Sequence, residues 1–266
     1  MTLLTSHPFL YRVYQSIGIL TLLLISSTVV GCATATHTTK ISKSTVYTLR
    51  EAYNNIHIIR TGSQLVMIDA GLERSAPRVE ERIRNLGLDP KKLKAIIVTH
   101  GHADHAGGAQ YFRKKYGTRI IAGHGDQELL KKGRNDELCP TDSRGRSSKK
   151  EHQSETYTPY SADVWIKKDT DLEPLIGIPG KIITLPGHTK GSIVVVIDNA
   201  AYVGDLFRGG IVGSSANMHF YMCDQEGNKR DIRKLLKTYP KIKTYFTGHF
   251  GPVSRAAVAS FVAAKK

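Results

Sequence analysis

The chain is poor in cysteine, with three in 266 residues, and acidic side chains are scarce beside basic ones, 23 against 38. So few cysteines leave room for very little cross-linking, so the fold must rest on a buried apolar core. At this length and 40% hydrophobic content such a core is within reach of one domain. No apolar run attains the about 20 residues a membrane-crossing helix needs; the longest, Ile17 to Val30, stops short. No internal repeat recurs at a solenoid period, which excludes a stacked-repeat architecture. The scarcity of acid gives a formal charge of +15. Deleting residues 1–31 removes one arginine and no acid, so the excess belongs to the remainder. A charge of that sign invites nucleic acid, anionic lipid or anionic substrate, or simply keeps a surface soluble.

What is present begins with the N-terminus. A sparse basic start with Arg12 leads into "IGILTLLLISSTVV" and then Gly31-Cys32, the pattern of a cleaved export signal rather than a span. The sequence "VVGC" resembles the lipobox of bacterial lipoproteins, in which the cysteine is lipidated and becomes the mature N-terminus. The resemblance implies a signal peptide over 1–31, lipid on Cys32, a tether over 32–45 and a folded domain over 46–266. It also implies an exported protein anchored by that lipid, on the periplasmic face of a membrane. Cys139 and Cys223 are then left either to pair or to remain two buried thiols.

Apolar β-branched runs at 46–49, 55–60 and 64–71 read as strands, followed by a helix over 75–86 that Ser75 can cap and Gly87 stops. A strand at 94–100, a helix at 104–116, a strand at 119–123 and a short helix over 126–132 come next. The polar, basic stretch 133–163 has no usable period and reads as a long, disordered loop or a lid-like insertion. Strands return at 181–185, 192–197, 201–204 and 244–248, with helices near 229–239 and 255–264. Interleaved strands and helices predict a layered α/β fold.

The polar anomalies all sit at the ends of apolar strands. His100-Gly101-His102-Ala103-Asp104-His105 follows "AIIVT", His188 follows "IITLPG", Asp205 follows "AYVG" and His249 follows "TYFTG". Imidazole nitrogen and carboxylate oxygen are ligands a divalent metal accepts, and seven of them exceed the needs of one tetrahedral ion. They suit two ions about 3.5–4 Å apart sharing a carboxylate. The small spacers Gly101 and Ala103 let the loop curl so that its alternate side chains converge.

"HGHADH" matches the His-x-His-x-Asp-His signature of the metallo-β-lactamase superfamily, and "LPGHTKGS", "YVGDLF" and "TGHFGP" resemble its downstream metal motifs in the right order. From about Val46 to the C-terminus the chain resembles that superfamily. The resemblance implies a four-layer αββα sandwich with the metals in a cleft at one edge of the two sheets. It gives His100, His102 and His188 to a first ion and Asp104, His105 and His249 to a second, with Asp205 bridging both. Asp69 corresponds to an acidic residue that supports the ligands from beneath. Two zinc ions are implied, and the same donors admit iron or manganese, which would open redox chemistry such as persulfide oxidation. The ions would draw the pKa of a bound water from about 15.7 towards 7 for attack on a carbonyl or phosphorus, with Asp104 or solvent protonating the leaving group.

Fold does not name a substrate. Asp205 stands where one class of β-lactamases has a cysteine ligand, which argues against antibiotic hydrolysis. Few residues follow His249, where hydroxyacylglutathione hydrolases add a helical domain, and no insertion of nuclease size is present, so no nucleic-acid partner is expected. The reading that remains is a small-molecule hydrolase of esters, lactones or thioesters. β-Lactamase or phosphodiesterase activity is the alternative, as is a tethered binding protein without turnover. The segment 214–224 is expected to finish the pocket, with His219 holding a substrate oxygen and Tyr221 donating to an oxyanion. His57, His124 and His152 read as structural or surface residues. Nothing in the sequence fixes the oligomeric state.

Overall fold

The computed structural model describes residues 35–264. The stretch 1–31 read as an export signal, and Cys32, lie outside the described residues. Among the described residues no helix is long and apolar enough to cross a membrane.

Seven strands form a first sheet in sequential order: β1 (Thr36–Ile41), β2 (Ser44–Glu51), β3 (Asn54–Thr61), β4 (Gln64–Ile68), β5 (Leu93–Val98), β6 (Arg119–Gly123) and β7 (Val164–Ile166). The first four run as an antiparallel meander and the last four pair in parallel. The second sheet is assembled from β8 (Thr170–Asp171), β9 (Lys181–Thr184), β10 (Ile193–Ile197), β11 (Ala200–Tyr202), β14 (Thr244–Phe246) and β15 (Val253–Ser254), in the order β15-β14-β11-β10-β9-β8. A two-stranded ribbon of β12 (Arg208–Gly209) and β13 (Ala216–Asn217) lies apart from both.

Period-2 alternation sends successive side chains to opposite faces of a sheet, and this sorts the core into three slabs. Ile96 and Val98 face the helices Ala76–Asn85 and Ala109–Tyr116, while Ala95 and Ile97 of the same strand face the second sheet. On the second sheet Ile193 and Val195 meet that central slab. Val194 and Ile183 pack against the helices Gln225–Thr238 and Arg255–Ala263. The result is the four-layer αββα sandwich. The sheets are also stitched by main chain: Ile193 N donates to Thr99 O at 2.9 Å and Asn55 N to Gly248 O at 2.7 Å.

Four expectations need correction. The fold begins before residue 46, because Thr36–Ile41 is an edge strand in register with β2 from Thr36↔Leu49 to Ile41↔Ser44. Its threonines suit a strand whose polar faces meet water, and only Ile41 is buried. The helix anticipated over 104–116 is two pieces, Ala103–Ala106 and Ala109–Tyr116. Gly107 and Gly108 separate them, and Gly108 N bonds Gly71 O at 2.8 Å. The stretch 133–163 is ordered. Asp142 caps a helix over Ser143–Gln153 through Gly145 N at 2.8 Å, and the Cys139–Cys223 disulfide ties the segment to the 214–224 strap. A helix so hydrophilic gives no periodic signal, and its order comes from these tertiary ties. Ser75 sits at the start of its helix without a side-chain capping bond.

Candidate metal centre

The structure brings all seven strand-end donors to one place on the seam between the sheets. His100, His102, Asp104 and His105 come from the turn after β5, His188 from the turn after β9, Asp205 from the end of β11 and His249 from the end of β14. Asp205 Oδ2 is the centre of the group. It lies 3.8 Å from His100 Nε2 and His188 Nε2, 3.4 Å from His105 Nε2 and 3.2 Å from His249 Nε2. Asp104 Oδ2 lies 3.3 Å from both His105 Nε2 and His249 Nε2. His100, His102 and His188 form one group with ligand-atom reach for an ion; Asp104, His105, Asp205 and His249 form another.

Four of the five imidazoles are oriented by a bond on the outer side, as metal-facing histidines usually are, His100 Nδ1 lying 3.1 Å from Thr99 Oγ1, while His188 Nδ1 is buried without a partner. His105 Nδ1 lies 2.8 Å from Asp69 Oδ2, and Asp69 also accepts from Thr99 N at 2.7 Å and Thr99 Oγ1 at 2.9 Å. Asp69 therefore lies beneath the turn. His249 Nδ1 donates to Tyr53 O at 2.8 Å and His102 Nε2 faces Asp136 Oδ1 at 2.7 Å. The inner nitrogens are then left facing one another. His102 Nδ1 and His188 Nε2 stand 3.1 Å apart, and His100 Nε2 and His105 Nε2 are buried without a hydrogen-bond partner. Buried polar atoms are rarely orphaned in native folds, and a shared cation is what would satisfy this set.

The electrostatics agree. Burial holds the His100 and His188 imidazoles well below their ordinary pKa, and neighbouring histidines push the same way, so their lone pairs are available. At His105 burial opposes charge but is outweighed by Asp104, Asp205 and Asp69, which hold it well above the ordinary value. His249 is raised to about 10, because Asp205 and Asp104 outweigh the same burial. Burial would raise both carboxyls, yet the surrounding imidazoles hold Asp104 and Asp205 well below the carboxylate range. Two ionised carboxylates in a buried pocket demand positive charge, and metal ions can supply it in place of protons. The donor set fits bound metal.

Glycine is required where the backbone passes close to these groups. A Cβ on Gly248 would run into Asp205 Oδ1 and His105 Cε1, and one on Gly101 would lie 2.8 Å from Leu129 Cβ. The spacers therefore serve packing as much as curling.

A cleft of about 220 Å³ opens onto the centre. Its apolar walls include Leu138, Phe220, Tyr221 and Phe250, and Arg144 of the helix Ser143–Gln153 stands in its lining. His219 lines it too, with Nε2 3.0 Å from Asp205 Oδ2, and burial lowers its pKa to about 4. Tyr221 Oη bonds His152 Nδ1 at 2.9 Å. His152, read from sequence as structural or surface, is instead a cleft residue, carried there by the ordered helix. His57 is buried inside β3 and satisfied by Thr48 Oγ1 at 3.0 Å and Thr247 O at 3.3 Å; His124 is exposed.

Sequence reasoning missed Asp126. Its buried carboxylate accepts from Gly101 N at 2.8 Å, Gly191 N at 2.7 Å and Thr189 Oγ1 at 2.7 Å. It thereby pins the His100–His102 turn to the His188 turn. The available signal was its position, a carboxylate just past β6 like the other strand-end anomalies. The start of β3 was missed as well: Asn54 Nδ2 donates to Asp104 O, and Asn55 Nδ2 to Thr247 O at 3.0 Å.

Comparison with known proteins agrees with this geometry. The family model of the metallo-beta-lactamase superfamily matches residues 49–249. Hydroxyacylglutathione hydrolase GloC of Haemophilus influenzae is 30% identical over 148 residues, covering 54% of this chain and 62% of that protein. The probable metallo-hydrolase YybB of Bacillus subtilis is 30% identical over 151 residues, covering 56% and 60%. The chain thus matches under two thirds of the length of these curated relatives. Among solved structures, a Cronobacter sakazakii metallo-β-lactamase superposes with TM-score 0.60 at 21% identity, covering 84% of this chain and 91% of that one. BJP-1, a subclass B3 metallo-β-lactamase of Bradyrhizobium japonicum, gives 0.58 at 18%, covering 82% and 86%. At such identities these two likenesses speak to fold alone. With the family model spanning every one of the seven converging donors, the chain belongs to the metallo-β-lactamase superfamily, a superfamily of metallo-hydrolases.

Proposed function

We propose that the protein is a dinuclear, zinc-dependent hydrolase of small esters, lactones or thioesters. The observation that carries the reading is Asp205 Oδ2, which stands between imidazoles of both ligand groups, 3.8 Å from His100 and His188 and 3.2 Å from His249. Ions held by these residues would supply an acidified water at neutral pH and positive charge for a developing oxyanion. The chain's own residues do the rest. The apolar cleft walls take the acyl body and exclude water, and Arg144 attracts an anionic end of the substrate. Asp104, ionised and open to the cleft, takes the proton of the attacking water and returns it to the leaving oxygen or sulfur. Tyr221 donates to the substrate carbonyl oxygen from the cleft wall, its hydroxyl turning from His152.

The hydroxyacylglutathione hydrolases among the relatives favour the thioester member of this class. β-Lactams and phosphodiesters are the second reading, and a binding protein without turnover the third. The Cys139–Cys223 disulfide supports an oxidising compartment, in keeping with export and a lipid on Cys32. A panel of lactones, thioesters, β-lactams and phosphodiesters, run on metal-replete protein with its metal content measured, tests the proposal. Hydrolysis that a chelator abolishes while the fold persists is expected. Two bound ions with no turnover across the panel would leave the binding protein. In Asp104→Asn, kcat should fall at least about 100-fold; full turnover with both ions kept would remove Asp104 from its proton-carrying role.

A further inference from the structure

We propose that His219 is an eighth metal-facing donor of the centre, serving the ion shared by His188 and Asp205; the proposal rests on the reading of the centre as a metal site. His188, Asp205 and His219 form a third group whose ligand atoms lie within 4.8 Å of one another. His219 Nε2 stands 3.0 Å from Asp205 Oδ2, yet it makes no hydrogen bond and is buried. It therefore has the same signature as His100 Nε2 and His105 Nε2, the two other orphaned imidazole nitrogens aimed into the centre.

The outer side of the ring tells the same story. His105 anchors Nδ1 on Asp69 and His249 anchors Nδ1 on Tyr53 O. His219 places Nδ1 3.1 Å from Tyr221 O and 3.2 Å from Tyr221 N, so the outer side of this ring is held by main chain as well. A cation beside Asp205 would favour the tautomer that donates from Nδ1 to the Tyr221 carbonyl and turns the bare Nε2 lone pair towards the ion. His57 provides the contrast. It is equally buried, but both of its nitrogens have partners, as a purely structural histidine requires.

The backbone holds His219 in place from the side away from the centre. Thr141 Oγ1 donates to His219 O at 2.6 Å, Thr141 N to Phe220 O at 2.9 Å and Met222 N to Cys139 O at 2.8 Å, and the disulfide at Cys223 closes the strap. A side chain so positioned in advance loses little freedom on binding an ion. The consequence is that the cleft wall and the metal centre are one unit, since the strap that presents Phe220 and Tyr221 to the substrate also presents a donor to the ion.

The test is a competition titration of the full-length protein with a chromophoric zinc chelator, comparing wild type with His219→Ala and His219→Gln. Two tight equivalents are expected for wild type. In both variants one equivalent should bind at least about tenfold more weakly while the other is unchanged, with unfolding midpoints in the metal-free state close to wild type. Cadmium-113 loading of wild-type protein with nitrogen-15 histidine adds a readout that needs no variant: His219 Nε2 should couple to the metal nucleus. Equal affinities in all three proteins with no such coupling would overturn the proposal. A raised KM with unchanged metal binding would also overturn it, assigning His219 to the substrate instead. Failure of wild type itself to hold zinc would instead defeat the metal-site reading on which the proposal stands.

Discussion

Replacing Asp126 with alanine removes three hydrogen bonds in one step, two of them to buried main-chain N–H groups of Gly101 and Gly191 and one to the Thr189 hydroxyl. Hydrogen bonds to a charged group contribute about 1.5–3 kcal/mol each, and a buried donor left without a partner costs about 1–3 kcal/mol. The gross loss is therefore on the order of 5 kcal/mol. Part of it is returned, because burial raises the Asp126 pKa and so opposes the ionised form, with the three donors only partly offsetting it. A net destabilisation of about 2–4 kcal/mol is expected, a large fraction of the about 5–15 kcal/mol that holds a domain together. Asp126→Asn should fall between wild type and alanine, since its amide oxygen can still accept but its NH2 faces donors. Urea unfolding of the metal-free proteins reads the stability. Chelator competition reads the second effect, a loss of about 10–100-fold in affinity at the His100–His102–His188 position. Wild-type unfolding midpoints and wild-type zinc affinity in Asp126→Ala would refute the assignment of Asp126 as the tie between the two ligand turns.

Three further outcomes follow from the same structure. Gly248→Ala drives a methyl into Asp205 Oδ1 and His105 Cε1, so one metal equivalent should be lost by mass-spectrometric metal analysis, with activity falling in step. Cys139→Ser/Cys223→Ser opens a link across 84 residues of chain, and denaturant unfolding should show a loss of about 2–5 kcal/mol. Glu80 is held at about 2, hydrogen bonds from Lys115, Tyr111, Tyr116 and Arg84 outweighing its burial. Its folded pKa is depressed, so its contribution is present above the unfolded value near 4.5 and lost as pH falls through about 2. Glu80→Gln should therefore lower stability at pH 7 by on the order of 1 kcal/mol after screening and flatten the acid limb of the stability profile; parallel profiles for the two proteins would refute it.

The donors were legible because each breaks the hydropathy of an apolar stretch at or just past the end of a strand. His188, Asp205 and His249 could be assigned to the same site without knowing that they come from one sheet and the His100–His105 turn from the other. Asp126 escaped because it also reads as the opening residue of a short helix, and its real partners are main-chain groups that a sequence cannot display. The helix Ser143–Gln153 escaped for the opposite reason: it buries almost nothing but Gly145, so no apolar stripe marks it. Thr36–Ile41 looked like a tether because threonine is at home both in a linker and on an exposed edge strand, and only the pairing partner decides.

The seam between the sheets has one more implication. Four donors ride on one slab of the sandwich and three on the other, so a relative slide of the slabs by a single side-chain spacing would part the two contingents. Filled positions would then act as rivets, and a variant weakened deep in the central apolar slab should be rescued by added zinc more than one weakened on an outer helix.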